Sequence, residues 1–286
     1  MYGCEEPGSE APIWNCGEMA EAEEGLELHP PCAAGNQIIY AWAMDAPELK
    51  LPADTGFRMG KDSNIKYLVL QVHYAHIDMI PAGGDDSGVI LHYTDEEQPQ
   101  TAGVMLLGTG GMTPAHSTTF FETACTVDDA RTIHPFAFRT HTHSLGKVVS
   151  GWKVTEGAKW DLIGKKSPQE PQMFYPINDS EMTFSKGDIL AARCTMVREY
   201  FPLKKVSYTF AEVTISFSLQ VNHHAHDVRI GQTNKDEMCN FYVMYWVLGK
   251  EPVDQRVCFS EGPPYWSWKA NAHLQNIPDE AASTLP

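Results

Sequence analysis

The sequence predicts an all-β chain assembled from antiparallel sandwich or barrel elements. Turn-forming clusters recur at short intervals: "EEPGSEAP", "HPPCAAGN", "PAGGDDSG", "GTGGMTP", "KKSPQEPQ", "FSKGDI" and "EGPPYW". Short runs rich in β-branched and aromatic residues lie between them, and no long amphipathic helical pattern stands out. Many short strands separated by turn signals are the pattern of sandwiches and barrels, in which each strand buries one face and reverses direction within a few residues.

In chain order, the strand candidates begin with "QIIYAWAM", which follows the Gly-Asn turn at 35–36. "IKYLVLQVHY" comes next and places Gln71 and His73 on one strand face. "SGVILHY" follows the Gly-Gly-Asp-Asp turn. The polar, proline-containing stretch "TDEEQPQTAG" (94–103) reads as a junction, dividing the chain into 1–99 and 100–286. Beyond it lie "TIHPFAFRTHTH", "KVVSGWKV", "DILAARC" and "NFYVMYWVL". No internal repeat is present.

Composition narrows the function classes. The chain has 286 residues, 43% hydrophobic and 20% charged, enough to bury a core and unlike a disordered chain. A formal net charge of −16 excludes nucleic acid as an expected partner, because a phosphate backbone requires a basic surface. No apolar run is long enough to span a bilayer. The first residues, "MYGCEEPGSE", lack the basic stretch and apolar core of a signal peptide. Cys4, Cys16, Cys32, Cys125, Cys194, Cys239 and Cys258 are scattered and form no CxxC pair, so a structural zinc site is not expected. They fit either disulfides in a secreted protein, with one thiol left over, or buried thiols.

Chemistry concentrates on three strands. In "FRTHTH", period-two alternation puts Arg139, His141 and His143 on one face. In "DEMCNFYVMYW" it aligns Met238, Asn240, Tyr242 and Met244, with Cys239 opposite. His73 and Gln71 share a face on the third. A thioether with imidazoles is a soft, mixed donor set that suits copper cycling through Cu(I) better than zinc or magnesium. The arginine beside the imidazoles suggests an anionic ligand. The alternative reading of His-x-His is a row of polar residues on a solvated face. His223, His224 and His226 read as a solvated loop, and His76 and His92 lack a distinctive neighbour. His134, an odd number of residues before Arg139, should face the other way.

At these residues the sequence resembles the copper type II, ascorbate-dependent monooxygenases of the peptidylglycine α-hydroxylating kind. The matching segments are "YGC", "LQVHY", "FRTHTHSLGKVVSGWKV", "PQMFYP", "GDILAARC" and "DEMCNFYVMYW". The resemblance implies two tandem, jelly-roll-like β-sandwich domains, each binding one copper, with a solvent-filled cleft between them. It implies that His141, His143 and Met238 hold the catalytic copper and that His73 is one of three histidines at an electron-transfer copper. Arg139, Asn240 and Tyr242 would hold the carboxylate and backbone of a glycine-extended peptide, and Gln71 would lie near the electron route. The implied reaction is hydroxylation of the terminal glycine α-carbon by O2 with ascorbate as reductant. A peptidyl-hydroxyglycine lyase would act next, and none is expected in this chain. The pairings Cys4–Cys32, Cys125–Cys258 and Cys194–Cys239 are also implied, as is a secretory-pathway or extracellular location. The related dopamine β-monooxygenases share the copper ligands but not the arginine at position 139, which favours the peptide substrate. Besides that hydroxylase, the alternative is a non-catalytic copper- or peptide-binding protein.

Two departures from the family pattern accompany the resemblance. The adjacent His-His pair that precedes "YGC" in the family, and the partner expected for Cys16, would lie upstream of Met1. The first domain is therefore expected to be incomplete at its N-terminus, with a crippled electron-transfer site and possible inactivity. The interval between Cys194 and Met238 is longer than in the family, and the extra segment spans 197–220. It reads as a retained intron, with a genuine extra hairpin as the alternative, since "KVSYTFAEVTISFSLQV" alternates as strands do.

Overall fold

The computed structural model describes residues 1–16, 28–43, 46–74, 80, 82–85, 88–197, 226–231 and 236–286, with the backbone of 205–210 and 213–218. The fold is nearly all β. Six short strands come first: β1 (Tyr2–Cys4), β2 (Glu6–Pro7), β3 (Cys32–Ala34), β4 (Gln37–Ile38), β5 (Thr55–Gly56) and β6 (Tyr67–Val69). Longer ones follow: β7 (Gln100–Thr109), β8 (Met112–Thr113), β9 (Thr118–Thr126), β10 (His134–His141), β11 (Gly146–Thr155) and β12 (Lys159–Lys166). The remainder are β13 (Tyr175–Pro176), β14 (Ile189–Val197), β15 (Lys205–Phe210), β16 (Val213–Ser218), β17 (Val228–Arg229), β18 (Asn240–Leu248) and β19 (Val257–Ser260), before a single-turn helix, α1 (Asp279–Ser283).

Residues from 100 onward form a sandwich. One sheet has the order β13-β10-β18-β7-β19, with β5 also pairing to β7. The facing sheet has the order β12-β11-β14-β9. Alternation along each strand sends one set of side chains between them: Met105, Leu107, Phe138, Phe241 and Val243 from the first sheet meet Phe121, Val149, Ile163, Leu190 and Met196 from the second. Two disulfides cross this core, Cys125–Cys258 and Cys194–Cys239, each with Cα atoms 5.8 Å apart. Crosslinks of this kind typically contribute ~2–4 kcal/mol.

Both outer faces are covered in part. On the second sheet, Trp268, Leu274 and Ala282 from the C-terminal segment pack on Trp152, Val154 and Ala191. The buried Glu122–Arg193 ion pair anchors that segment, since Glu122 also accepts the Trp268 backbone N–H at 2.7 Å. On the first sheet, Tyr40, Leu49, Leu51 and Phe57 pack against Val104, Phe174, Tyr242 and Met244.

The first third is sparser. β4-β1-β6 make a three-stranded sheet and β2-β3 a ribbon, with Cys4–Cys32 linking them. The run read as one strand, "IKYLVLQVHY", is a strand only over Tyr67–Val69. β6 stands at the sheet edge, and beyond Val69 no described strand forms a ladder with this segment. A β-run without a partner has no ladder to satisfy its backbone. Within 94–103, Gln100 onward already belongs to β7.

The segment between Cys194 and Met238 contains β15 and β16, which pair antiparallel with each other and, among the described residues, with no other strand. Val197, the first residue of the 197–220 segment, is not extraneous to the sandwich: it closes β14 opposite Thr118. Among the described residues, no helix is long and apolar enough to cross a membrane.

Candidate metal centre

The site forms where β10 and β18 run side by side. Their antiparallel register sets Arg139 opposite Tyr242 and His141 opposite Asn240. Directly opposed residues share a face, so the two rows read from the sequence become one patch. His143 and Met238 lie just past the ends of these strands, where the backbone leaves the ladder. The expected strand row therefore stops at His141, and a turn delivers His143.

Glu237 holds that turn in place. Its buried carboxylate accepts the backbone N–H of His143 at 2.9 Å, of Leu145 at 2.7 Å and of Met238 at 3.3 Å. One side chain thus ties the loop carrying His143 to the loop carrying Met238. Burial pushes the Glu237 carboxyl upward, and the three backbone donors oppose that shift. The Cys194–Cys239 disulfide fixes the next residue from the core side.

The donor atoms converge. His141 Nε2 lies 3.3 Å from Met238 Sδ, and the rings of His141 and His143 have centroids 5.5 Å apart, nearly perpendicular. Each Nδ1 faces an oxygen: Gln172 Oε1 at 2.6 Å from His141, and the Asp236 carbonyl at 2.8 Å from His143. With acceptors at both Nδ1 atoms, the protons sit there and the Nε2 lone pairs point away. This arrangement is how metal-bound histidines are commonly oriented. His143 Nε2 is buried with no hydrogen-bond partner. An orphaned buried nitrogen on a ring next to a second imidazole, which itself meets a thioether, fits a soft metal ion, and copper suits this donor chemistry. Among the described residues, no three His, Cys, Asp or Glu side chains converge; the sulfur atom against His141 Nε2 is the Met238 thioether.

Electrostatics keep the His141 ring neutral. Burial lowers the His141 pKa to about 3, with the neighbouring Arg139 cation as the next cause. Arg139 is itself buried at 4% exposure, and burial also lowers its pKa. Its Nε donates to the Gln172 carbonyl at 3.2 Å and its Nη2 to Gln172 Oε1 at 3.1 Å. The guanidinium carbon lies 5.1 Å from the Tyr242 ring centroid. Among the described residues Arg139 has no acidic partner. Asn240 Nδ2 donates to Tyr242 Oη at 3.3 Å, which aligns the two polar side chains beside the arginine.

Gln172 and Glu237 were not singled out from the sequence. Gln172 lies in an irregular segment before β13, where no strand parity assigns it a face; its place within "PQMFYP" was the only signal. Its Oε1 serves both His141 and Arg139, its Nε2 donates to the carbonyls of Pro168 and Thr142, and its backbone bridges to Ala43.

The remaining expectations fall elsewhere. His73 is exposed and off-strand. Gln71 donates to the free thiol of Cys16 at 3.0 Å. His134 does not face away from Arg139 as parity demanded. A β-bulge between Pro135 and Ala137 absorbs one residue, and His134 stacks on Trp246 with centroids 3.8 Å apart, on the Tyr242 side of the sheet. His92 and His226 are exposed, while His76, His223 and His224 lie outside the described residues.

Comparison with known proteins points to one family. The family model described as copper type II ascorbate-dependent monooxygenase, N-terminal domain, matches residues 1–81. The C-terminal domain model of the same family matches 100–210 and 211–271, two stretches that meet within the β15–β16 hairpin. Peptidyl-glycine alpha-amidating monooxygenase A of Xenopus laevis is 36% identical over 100% of this chain and 26% of its own length. The Mus musculus peptidyl-glycine alpha-amidating monooxygenase is 35% identical over 100% of the chain and 25% of its own. Human dopamine beta-hydroxylase is 31% identical over 55% of the chain and 28% of its own length. The chain thus spans about a quarter of the length of the curated relatives it matches. Its two matched domains place it in the copper type II, ascorbate-dependent monooxygenase family.

Proposed function

We propose that the chain hydroxylates the α-carbon of the C-terminal glycine in glycine-extended peptides, using copper, O2 and ascorbate. The observation that carries this reading is Arg139, a buried cation without an acidic partner among the described residues, sharing Gln172 Oε1 with the ligand candidate His141. A buried charge is costly unless it is paired, so the site favours a ligand that brings an anion. A peptide's terminal carboxylate supplies one. Arg139 would take it in a charge-assisted pair, with the Tyr242 hydroxyl and Asn240 amide as neighbouring donors.

His141, His143 and Met238 would hold the copper, through both Nε2 atoms and the thioether sulfur. When bound, copper supplies O2 activation and one-electron chemistry. The protein contributes position: Gln172 ties the carboxylate clamp to a metal ligand, so the last α-carbon is held beside the donor cluster. The overall reaction places one oxygen atom of O2 in the C–H bond and reduces the other to water, with two electrons from ascorbate and two protons. His73 would be one ligand of a second copper that relays electrons. The amine named in dopamine beta-hydroxylase carries no carboxylate and would leave Arg139 uncompensated. The three disulfides fit an oxidising location, the secretory pathway or outside the cell.

The test is peptide binding to the copper-loaded chain. Arg139→Gln should weaken a glycine-extended peptide by about 10- to 100-fold, the value of ~1.5–3 kcal/mol for a hydrogen bond to a charged group, without changing copper content. The carboxyl-amidated analogue should bind poorly to both proteins. Equal affinity for peptide and amide in the unmodified chain removes the carboxylate role.

A further inference from the structure

The loop after β13 holds the chain's sole Asn-x-Ser/Thr triplet, Asn178-Asp179-Ser180. Such a triplet accepts a sugar only where it lies on a surface loop of a protein that passes through a secretory compartment. All three residues are exposed. The turn itself is built by Asp179, whose carboxylate accepts the Glu181 backbone N–H at 3.0 Å and whose carbonyl accepts that of Met182 at 3.1 Å. Among the described residues, the side chains of Asn178 and Ser180 have no hydrogen-bond partner, so the loop holds its shape without either polar group. The remaining condition is the oxidising location inferred above from the three disulfides, on which this inference rests.

The triplet's place in the fold is compatible with a bulky group. β13 is the edge of its sheet and runs antiparallel to β10, with Tyr175 opposite Phe138 and Pro176 opposite Ala137. Ile177 still donates its N–H to the Phe136 carbonyl at 3.2 Å, and the chain then leaves the edge until Phe184 pairs with Ile133. Asn178 therefore stands where the edge ladder is interrupted. From Tyr175 to Asn178 the chain runs toward the His134 end of β10, away from Arg139 and His141. Continued by one residue, the register sets Phe174 level with Arg139, so Asn178 lies about 13 Å further along the edge at the usual rise of a strand. A sugar chain there would shield the interrupted edge from pairing with other chains and leave the donor cluster open.

We propose that Asn178 is a modification site that carries an N-linked glycan. The donor is a lipid-linked oligosaccharyl diphosphate of the secretory pathway. Asn178 Nδ2 bonds to the anomeric carbon of the first sugar, and the bond from that carbon to the diphosphate oxygen breaks. The lipid diphosphate leaves, the amide gives up one proton, and no group is oxidised or reduced. Ser180, two residues on, supplies the hydroxyl that marks the acceptor.

The test directs the full chain into the secretory pathway of cultured animal cells with a cleavable leader. Protein is collected from medium and lysate together, because the sugar is added as the chain is made and its transfer does not await folding. Peptide N-glycosidase treatment followed by mass spectrometry should remove the mass of one N-glycan and leave Asp in place of Asn178 in the released peptide. Asn178→Gln and Ser180→Ala should each abolish that mass loss, and Ser180→Thr should keep it. A chain without glycan in which Cys125–Cys258 and Cys194–Cys239 have formed overturns the proposal, and so does a mass loss that survives in Asn178→Gln. If the chain shows neither glycan nor disulfides, the location reading falls and this inference with it.

Discussion

The His141–His143 corner and the His73 stretch carry the same sequence signal, histidine within a β-type run, yet the fold treats them in opposite ways. At the corner, two long strands pair along their length, and each imidazole is oriented at Nδ1 by an oxygen. At His73 the run has left its ladder: the residue is exposed, and Val72 and Tyr74 beside it are exposed by about half, at 51% and 48%. A site preorganised by hydrogen bonds and a disulfide binds without ordering its ligands first. A lone exposed imidazole must bring its partners together at the moment of binding.

That contrast yields predictions of decreasing size. Met238→Ile removes the soft donor at similar bulk and should weaken Cu(I) binding at the corner by more than about 100-fold, beyond the loss usual for an outer-shell partner. Competition with a Cu(I) chelator measures it, and near-equal affinity would exclude Met238 as a ligand. Glu237→Gln should cost about 10–100-fold in copper affinity. A neutral amide has one acceptor oxygen for three backbone N–H groups, and its own NH2 would face a donor. If the same chelator competition shows no loss, Glu237 is not what holds the two loops together.

Deleting 197–220 should have a small effect on the sandwich and none on copper affinity. The β15–β16 hairpin pairs only with itself among the described residues, and the deletion brings Val221 into the place of Val197 at the end of β14. Closing a shorter loop changes the entropy only logarithmically. Soluble yield and thermal midpoint should hold or rise; a fall in both would make the hairpin a working part of the fold. The smallest effect belongs to His73→Ala, which should leave copper at the corner unaltered in amount and affinity. A drop there would make His73 part of the corner's copper site.

Much of the site was legible because strand periodicity is rigid. Arg139 and His141, and likewise Asn240 and Tyr242, share faces as alternation requires, and their strands pair. What alternation could not convey lies where the ladder ends or slips. The bulge at Pro135–Ala137 reverses the side assigned to His134. Gln172 and Glu237 act from irregular backbone, where no period marks a facing residue, although Gln172 orients the His141 imidazole and Glu237 ties the two ligand loops together. The strand expected through Gln71 and His73 needed a neighbour, and sequence alternation records only a segment's readiness to pair.

The account's central claim is that one corner of the C-terminal sandwich holds copper through His141, His143 and Met238. X-ray absorption at the copper edge on the Cu(I)-loaded chain tests it most directly. The account predicts imidazole scattering together with one copper–sulfur shell, a shell that disappears in Met238→Ile and persists in His73→Ala. Absence of sulfur scattering in the unmodified chain, or its survival in Met238→Ile, would contradict the assignment.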